Sequence, residues 1–294
     1  MEMTNEYDYA MERRLHALNP ELHKRFSESL FVLQHILSNY LLIFPTFTDH
    51  TELHSLNVID FCNRIIGSQI EKLNADEIYC LLMGCYFHDT GMGIRKKDYD
   101  EFSQKIDFGN YFETHSRKNI PDIIRTFHNE FSGLFLEKYS DLFEIPSAEH
   151  LYAIIQISRG HRKTDLTDEK EYPIALPVLG GNTICLPYLS ALIRLADEID
   201  VAAGRNLSFL YETSSLTNEK DIIEFGKHEA IKEVAVSDQE FVLIIDTDDE
   251  TVYNNIRKMS LKMQKTVDEC CAAVTGRTPY DITQKAIKLK RIKG

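Results

Sequence analysis

The stretch Asn74–Gly93, NADEIYCLLMGCYFHDTGMG, decides how this chain is read. Asn74 is a good N-cap and Glu77, three residues on, is placed for a capping box, so a helix is expected to begin here. Ile78, Leu81, Leu82, Cys85 and Phe87 make the segment apolar nearly all round. That pattern puts the helix in the middle of a fold and not on its surface. It ends on His88-Asp89. Two hydrophilic residues closing a buried helix must be satisfied by something, because a buried carboxylate without a partner is costly. The glycines of Thr90-Gly91-Met92-Gly93 would let the backbone come close to a bound anion. With eleven histidines in the chain, the dipeptide alone carries little weight, and the flanking segments must decide.

Those segments read as further core helices. Pro20 opens one that carries Phe31, Leu33, Ile36, Leu41 and Leu42 and is expected to run to about Pro45. Leu53 to Ile66 has Leu56, Ile59, Cys62 and Ile66 at helical spacing, with Gly67 as a stop signal. Pro121 opens a helix with Ile124, Phe127, Phe131, Leu134 and Phe135, and Ser147 caps one that ends near Gly160. Arg162 to Gly181 reads as a long polar loop with hairpin character, before Pro187 opens a helix whose Leu189, Leu192, Ile193 and Ala196 face inward. After about residue 215 the pattern changes. Ile231–Val236 and Glu240–Asp246 form a hairpin pattern joined by Ser237-Asp238-Gln239, a long helix covers Asp249 to Val274, and a basic strand carries Ile287, Leu289 and Ile292. The expected fold is mainly α. It comprises a helical bundle over residues 20–214 and a small C-terminal α/β subdomain over residues 215–294.

Three more segments place a metal-competent side chain on a core helix. His54 lies in LHSLNV (53–58), His128 in FHNEFSG (127–133) and Asp197 in LIRLADEID (192–200). Imidazole and carboxylate together suit Mn, Fe, Zn, Co or Ni without choosing among them. An isolated histidine is more often a satisfied structural residue. His16, His23, His35, His150 and His228 are read that way, and His50 and His115 are left open. Arg159, Arg162, Lys163, Arg194 and Arg205 are candidates to hold phosphate charge. Against that, Arg162 and Lys163 also fit a solvated loop, and Arg194 stands one turn before Asp197, at salt-bridge spacing.

The order His, His-Asp, His, Asp on successive helices resembles the HD superfamily of metal-dependent phosphohydrolases. The His-Ser-Leu-x-Val wording around His54 is similar to deoxynucleotide triphosphohydrolase-like members. Phe44-Pro45 through His54, Ser158-Arg159-Gly160-His161 and Arg194 through Asp200 look more like the bacterial group called HD-CE. The resemblance covers about residues 20–210 and implies an HD-type helical fold. It makes His54, His88, Asp89 and Asp197 ligands of a divalent metal ion. It makes His128, and with it His161, a catalytic or second-metal histidine, and lets Asp89 orient the attacking water as well. The implied reaction is hydrolysis of a phosphoester or phosphoanhydride in a small molecule, a nucleotide by analogy. The chain departs from the HD-GYP cyclic-dinucleotide phosphodiesterases, because Met92 follows Gly91 where that group has Lys and no two histidines are adjacent. The competing reading is a nucleotide- or metal-responsive sensor that signals through the C-terminal subdomain.

Composition narrows the rest. A net charge of -13 disfavours general nucleic-acid binding, the basic run Lys285, Lys288, Lys290, Arg291 and Lys293 being a local exception. None of the cysteines at 62, 80, 85, 185, 270 and 271 forms a C-x-x-C pair, which fits buried thiols in a reducing compartment. The polar start lacks a signal-peptide core, and Leu30–Phe44 is too polar to span a bilayer. A cytoplasmic protein with a small-molecule phosphate substrate, and room for a homo-oligomer, is the expectation. No P-loop, dinucleotide-binding turn or serine-hydrolase elbow occurs in the sequence.

Overall fold

The computed structural model describes residues 10–43, 52–114, 119–202 and 219–293. Eleven α-helices and five short strands are formed there. At the centre stands α4 (Ala75–Phe87), every residue of which from Asp76 onward is buried. Its start is the capping box read from the sequence: Asn74 accepts from the Glu77 amide at 3.0 Å and Glu77 accepts from the Asn74 amide at 3.1 Å. Around it pack α1 (Ala10–Leu18), α2 (Pro20–Leu37), α3 (Glu52–Ile66), α8 (Ala148–Gly160) and α9 (Leu186–Ile199). A second, smaller apolar cluster gathers Tyr40, Met92, Ile94, Phe102, Tyr111, Ile123, Ile124 and Phe131 beneath α5 (Lys96–Phe102), α6 (Tyr111–Thr114) and α7 (Ile120–Tyr139).

α2 stops at Leu37, short of the expected Pro45, and a 3-10 turn takes Ser38–Leu42. Ser38 explains the stop, since its hydroxyl donates to the His35 carbonyl at 2.7 Å, a local bond that competes with the helix. The loop before α9 folds into a small ribbon, β1 (Leu176–Pro177) with β2 (Thr183–Ile184). Asn74 and Asp76 hold this ribbon to α4, through Asn74 Nδ2 to the Thr183 carbonyl at 2.8 Å and Asn182 Nδ2 to Asp76 at 2.7 Å.

Beyond residue 218, α10 (Glu219–Ala230) leads into the hairpin of β3 (Ile231–Val236) and β4 (Glu240–Asp246). α11 (Glu250–Val274) then crosses over to β5 (Ala286–Lys293), which pairs parallel to β4. Parallel neighbours need such a crossover, and here a helix supplies it. The outer edge of β5 carries exposed Lys288 and Lys290, charges that discourage further strand pairing.

The main apolar core runs without a break from the bundle into this C-terminal unit. Val234, Phe241, Leu243, Met263, Val267 and Cys270 belong to the same buried cluster as Leu81, Phe87 and Leu192. Tyr280 fastens the two parts. Its ring stacks on Tyr188 with centroids 4.3 Å apart, and its hydroxyl donates to Glu77 at 2.6 Å. No helix among the described residues is long and apolar enough to cross a membrane. The six cysteines are free thiols, five of them buried.

Candidate metal centre

Each candidate ligand sits at or near an end or a break of a helix, and this determines how it points. The last carbonyls of an α-helix have no partner inside the helix. His88 caps α4 and sets Nδ1 2.8 Å from the Cys85 carbonyl. His161 caps α8 and bonds through Nδ1 to the Ser158 carbonyl. α7 is interrupted at Phe127 (φ -117°, ψ 18°), and the next residue, His128, sets Nδ1 2.9 Å from the Arg125 carbonyl. A carbonyl oxygen can only accept, so in all three rings Nδ1 carries a proton, and in the neutral ring Nε2 is left presenting the lone pair. His54, on α3, does the same with a side chain. Its Nδ1 lies 2.7 Å from Asp200 Oδ2, while Asn57 donates to the other oxygen of Asp200 at 3.3 Å.

All four Nε2 atoms then converge on Asp89. Its Oδ2 lies 3.3 Å from His54 Nε2 and 3.2 Å from His88 Nε2. Its Oδ1 lies 3.2 Å from His128 Nε2 and 3.9 Å from His161 Nε2. Asp197 Oδ1, from the last turn of α9, is 3.2 Å from His54 Nε2. The donor atoms therefore fall into two buried groups, His54, His88 and Asp89 on one side and Asp89, His128 and His161 on the other. The Nε2 atoms approach each other pairwise, at 3.1 Å for His54 and His88 and at 2.8 Å for His128 and His161. Two neutral rings protonated on Nδ1 repel at that distance. A cation between them removes the repulsion, and this donor chemistry fits a divalent metal.

Electrostatics agree. Burial, together with the neighbouring His88 and His128, holds the His161 imidazole well below its usual range, which keeps it neutral. Burial alone would raise the Asp197 carboxyl, but the imidazoles facing it, His54 first and then His161 and His88, hold it well below the usual carboxylate range. Neutral imidazole and ionised carboxylate are the forms that bind metal. Burial and the charge of Asp197 push Glu198 the other way, up to about 7.

The turn after Asp89 is fixed by close approach. A side chain at Gly91 would begin 2.2 Å from the His128 carbonyl, so α7 can lie against the turn only because residue 91 is glycine. Ser132 closes the join, donating to the His88 carbonyl at 2.6 Å and accepting from the Gly91 amide at 2.8 Å.

The cationic candidates separate. Arg159 is bound to Glu130 at 2.9 Å and to Gln156 at 2.8 Å. Arg194 donates to the Gly160 carbonyl at 2.7 Å and the Thr164 carbonyl at 2.8 Å, so it fastens the loop after α8 to α9 in place of the Asp197 bridge its spacing offered. Arg162 and Lys163 line a cleft of about 780 Å³ that reaches His161 and Asp197. Arg205 lies outside the described residues, as do His50, His115, Phe44 and Pro45. His150 pairs with Asp76 at 2.8 Å and His228 bonds the Val201 carbonyl at 2.8 Å, both remote from Asp89 in the bonding pattern. Sequence reasoning gave no role to Asp200 or Ser132. Asp200 stands one turn beyond Asp197, and that spacing was the available signal.

A helical fold whose core helices end in a buried cluster of four histidines and an aspartate defines an HD-type domain. The HD-CE family profile matches residues 44–269, well over half of the chain, and the chain belongs to the HD-CE family. No curated protein and no solved structure matches it.

Proposed function

We propose that this protein hydrolyses a phosphoester or phosphoanhydride bond of a small phosphorylated molecule, a nucleotide by family analogy, at two divalent metal ions that share Asp89. The observation that carries this reading is the convergence of four imidazole Nε2 atoms on the two oxygens of one buried carboxylate. His54, His88, Asp89 and Asp197 would hold one ion, and Asp89, His128 and His161 the other. A divalent metal held there would supply a water that ionises near neutral pH and would polarise the phosphoryl oxygen. The chain's own part is positional. Asp89 fixes the spacing of the two groups, Asp200 and the helix-end carbonyls fix the ring orientations, and Arg162 and Lys163 receive phosphate charge. The bundle carries the chemistry on this reading, with residues 219–293 docked beside it.

His128 tests the scheme. As a ligand of the second ion, its replacement by Ala takes away about half the metal along with turnover. As a proton-transferring group alone, it leaves the metal in place and lowers turnover about 10²–10⁴-fold. Metal content, melting temperature and phosphate release from a nucleotide panel, measured on that one variant with several added metals, separate the two. Full metal, unchanged melting and undiminished turnover would remove His128 from the mechanism.

A further inference from the structure

The cleft that reaches His161 and Asp197 has α9 along it, with Arg194, Asp197 and Glu198, and two further linings of different origin. One is the loop after α8, with Arg162 and Lys163. The other is α11, which brings Lys262 and Lys265 from the C-terminal unit. We propose that Lys262 is a substrate-binding residue, holding a second phosphoryl group of a ligand whose first phosphoryl group sits at Asp89. The preferred substrates are then small molecules with two or more linked phosphates, and the C-terminal unit is a wall of the site. This inference rests on the cluster being a phosphate-processing centre.

Four observations support it. First, the chain as a whole is acidic, at -13, yet this cleft gathers Arg162, Lys163, Arg194, Lys262 and Lys265 against the acids Asp165, Asp197, Glu198 and Glu269. Second, the cations differ in commitment. Lys265 pairs with Glu269 at 3.5 Å and Arg194 serves the Gly160 and Thr164 carbonyls. Arg162, Lys163 and Lys262 form no ion pair within 4 Å among the described residues, and the acid whose charge Arg162 and Lys262 face is Glu198, in the lining of the same cleft. Third, the backbone under Lys262 is held in place by its helix: Met263 and Val267 of α11 are buried in the main core, and Asp249 caps the helix start. A lysine on a fixed backbone loses less freedom on binding than one on a loop. Fourth, about 780 Å³ is the size of a small-molecule site and far more than one phosphate ion fills.

The test is binding of inorganic tripolyphosphate and of orthophosphate to the purified, metal-containing protein, with phosphate release followed in the same samples. Wild type, Lys262→Ala and Lys262→Glu are compared with Lys288→Glu, a change on the exposed edge of β5. Wild type is expected to bind tripolyphosphate more tightly than orthophosphate. Lys262→Ala should weaken tripolyphosphate about tenfold or more, the usual weight of a charged hydrogen bond, and leave orthophosphate, metal content and melting unchanged. Lys262→Glu should weaken tripolyphosphate further. Unaltered tripolyphosphate binding in both Lys262 variants would overturn the inference. So would an equal loss for both anions, or an equal effect from Lys288→Glu, since each reports only a diffuse field. A protein that binds tripolyphosphate through Lys262 but releases no phosphate would sink the hydrolase reading and keep Lys262 as a polyphosphate-binding residue. A hydrolase indifferent to Lys262 would do the reverse.

Discussion

Asp89 and Asp98 stand nine positions apart, both buried, and their neighbours give them opposite meanings. Asp98 is met by protons: Tyr139 Oη at 2.6 Å and Lys138 Nζ at 2.9 Å on one oxygen, and Arg95 Nε at 2.9 Å on the other. Burial would raise its carboxyl, but those three donors hold it below the usual carboxylate range. Asp89 is ringed by four imidazole Nε2 atoms, and on the far side of each ring Nδ1 is already engaged by an acceptor. The contrast teaches that a buried aspartate signals metal only when the groups around it bring lone pairs. His150 with Asp76 makes the same point from the histidine side. There Asn182 donates to the second oxygen and Ser147 Oγ lies 2.9 Å from the ring's Nδ1, which makes a closed structural network.

The largest effect that can break this comparison is expected from Asp89→Asn. Metal content should fall from about two ions per chain to near none, and turnover with it, because one residue serves both groups. Elemental analysis that finds wild-type metal in this variant would return Asp89 to the company of Asp98. Next comes Asp200→Ala, which frees the His54 ring. Metal affinity should drop roughly 10–100-fold, as it does when a ligand's orienting partner is lost, and titration of the apo-protein would register it. The smallest effect belongs to Asp98→Ala, about 1–3 kcal/mol of stability with metal content unaltered, since Arg95 and Lys138 are solvent-facing and weaken the pairs by screening. The sign of its pH dependence is fixed. A carboxyl whose folded pKa is depressed adds stability that is present above its unfolded value and lost as pH falls through the folded one. Wild-type and Asp98→Ala melting temperatures should therefore converge below about pH 3.9 and separate above it. A gap that persists in acid would mean that packing, not charge, is what Asp98 supplies.

Much of the bundle could be read from the sequence because its helices announce themselves locally, by Asn74 with Glu77, by Ser147 and by the prolines at 20, 121 and 187. α1 and α10 escaped notice because they are short and mostly polar, and α1 commits only Met11 and Leu15 to the core. The histidines were visible as candidates, but their orientation was not. His54 meets Asp200 across 146 positions, a pairing that no local pattern announces. Arg159 and Arg194 failed to stand apart from Arg162 for the same reason. Three arginines look alike until Glu130 and the Gly160 carbonyl, 29 and 34 positions away, engage two of them. The role of α11 was hidden by its own regularity. A lysine on the solvent side of an amphipathic helix is ordinary, and only the fold sets Lys262 in one cleft with Arg162.

The way the rings are aimed has a genetic side. His88, His128 and His161 are oriented by the main-chain carbonyls of Cys85, Arg125 and Ser158, and every amino acid carries that oxygen. Codons 85, 125 and 158 can drift without deleting the acceptor, so those three aims are robust to point mutation in a way side-chain contacts are not. His54 has no such insurance: its acceptor is the Asp200 carboxylate, and a single base change can erase it. One of the four imidazoles therefore carries a heritable weak point that its three partners lack.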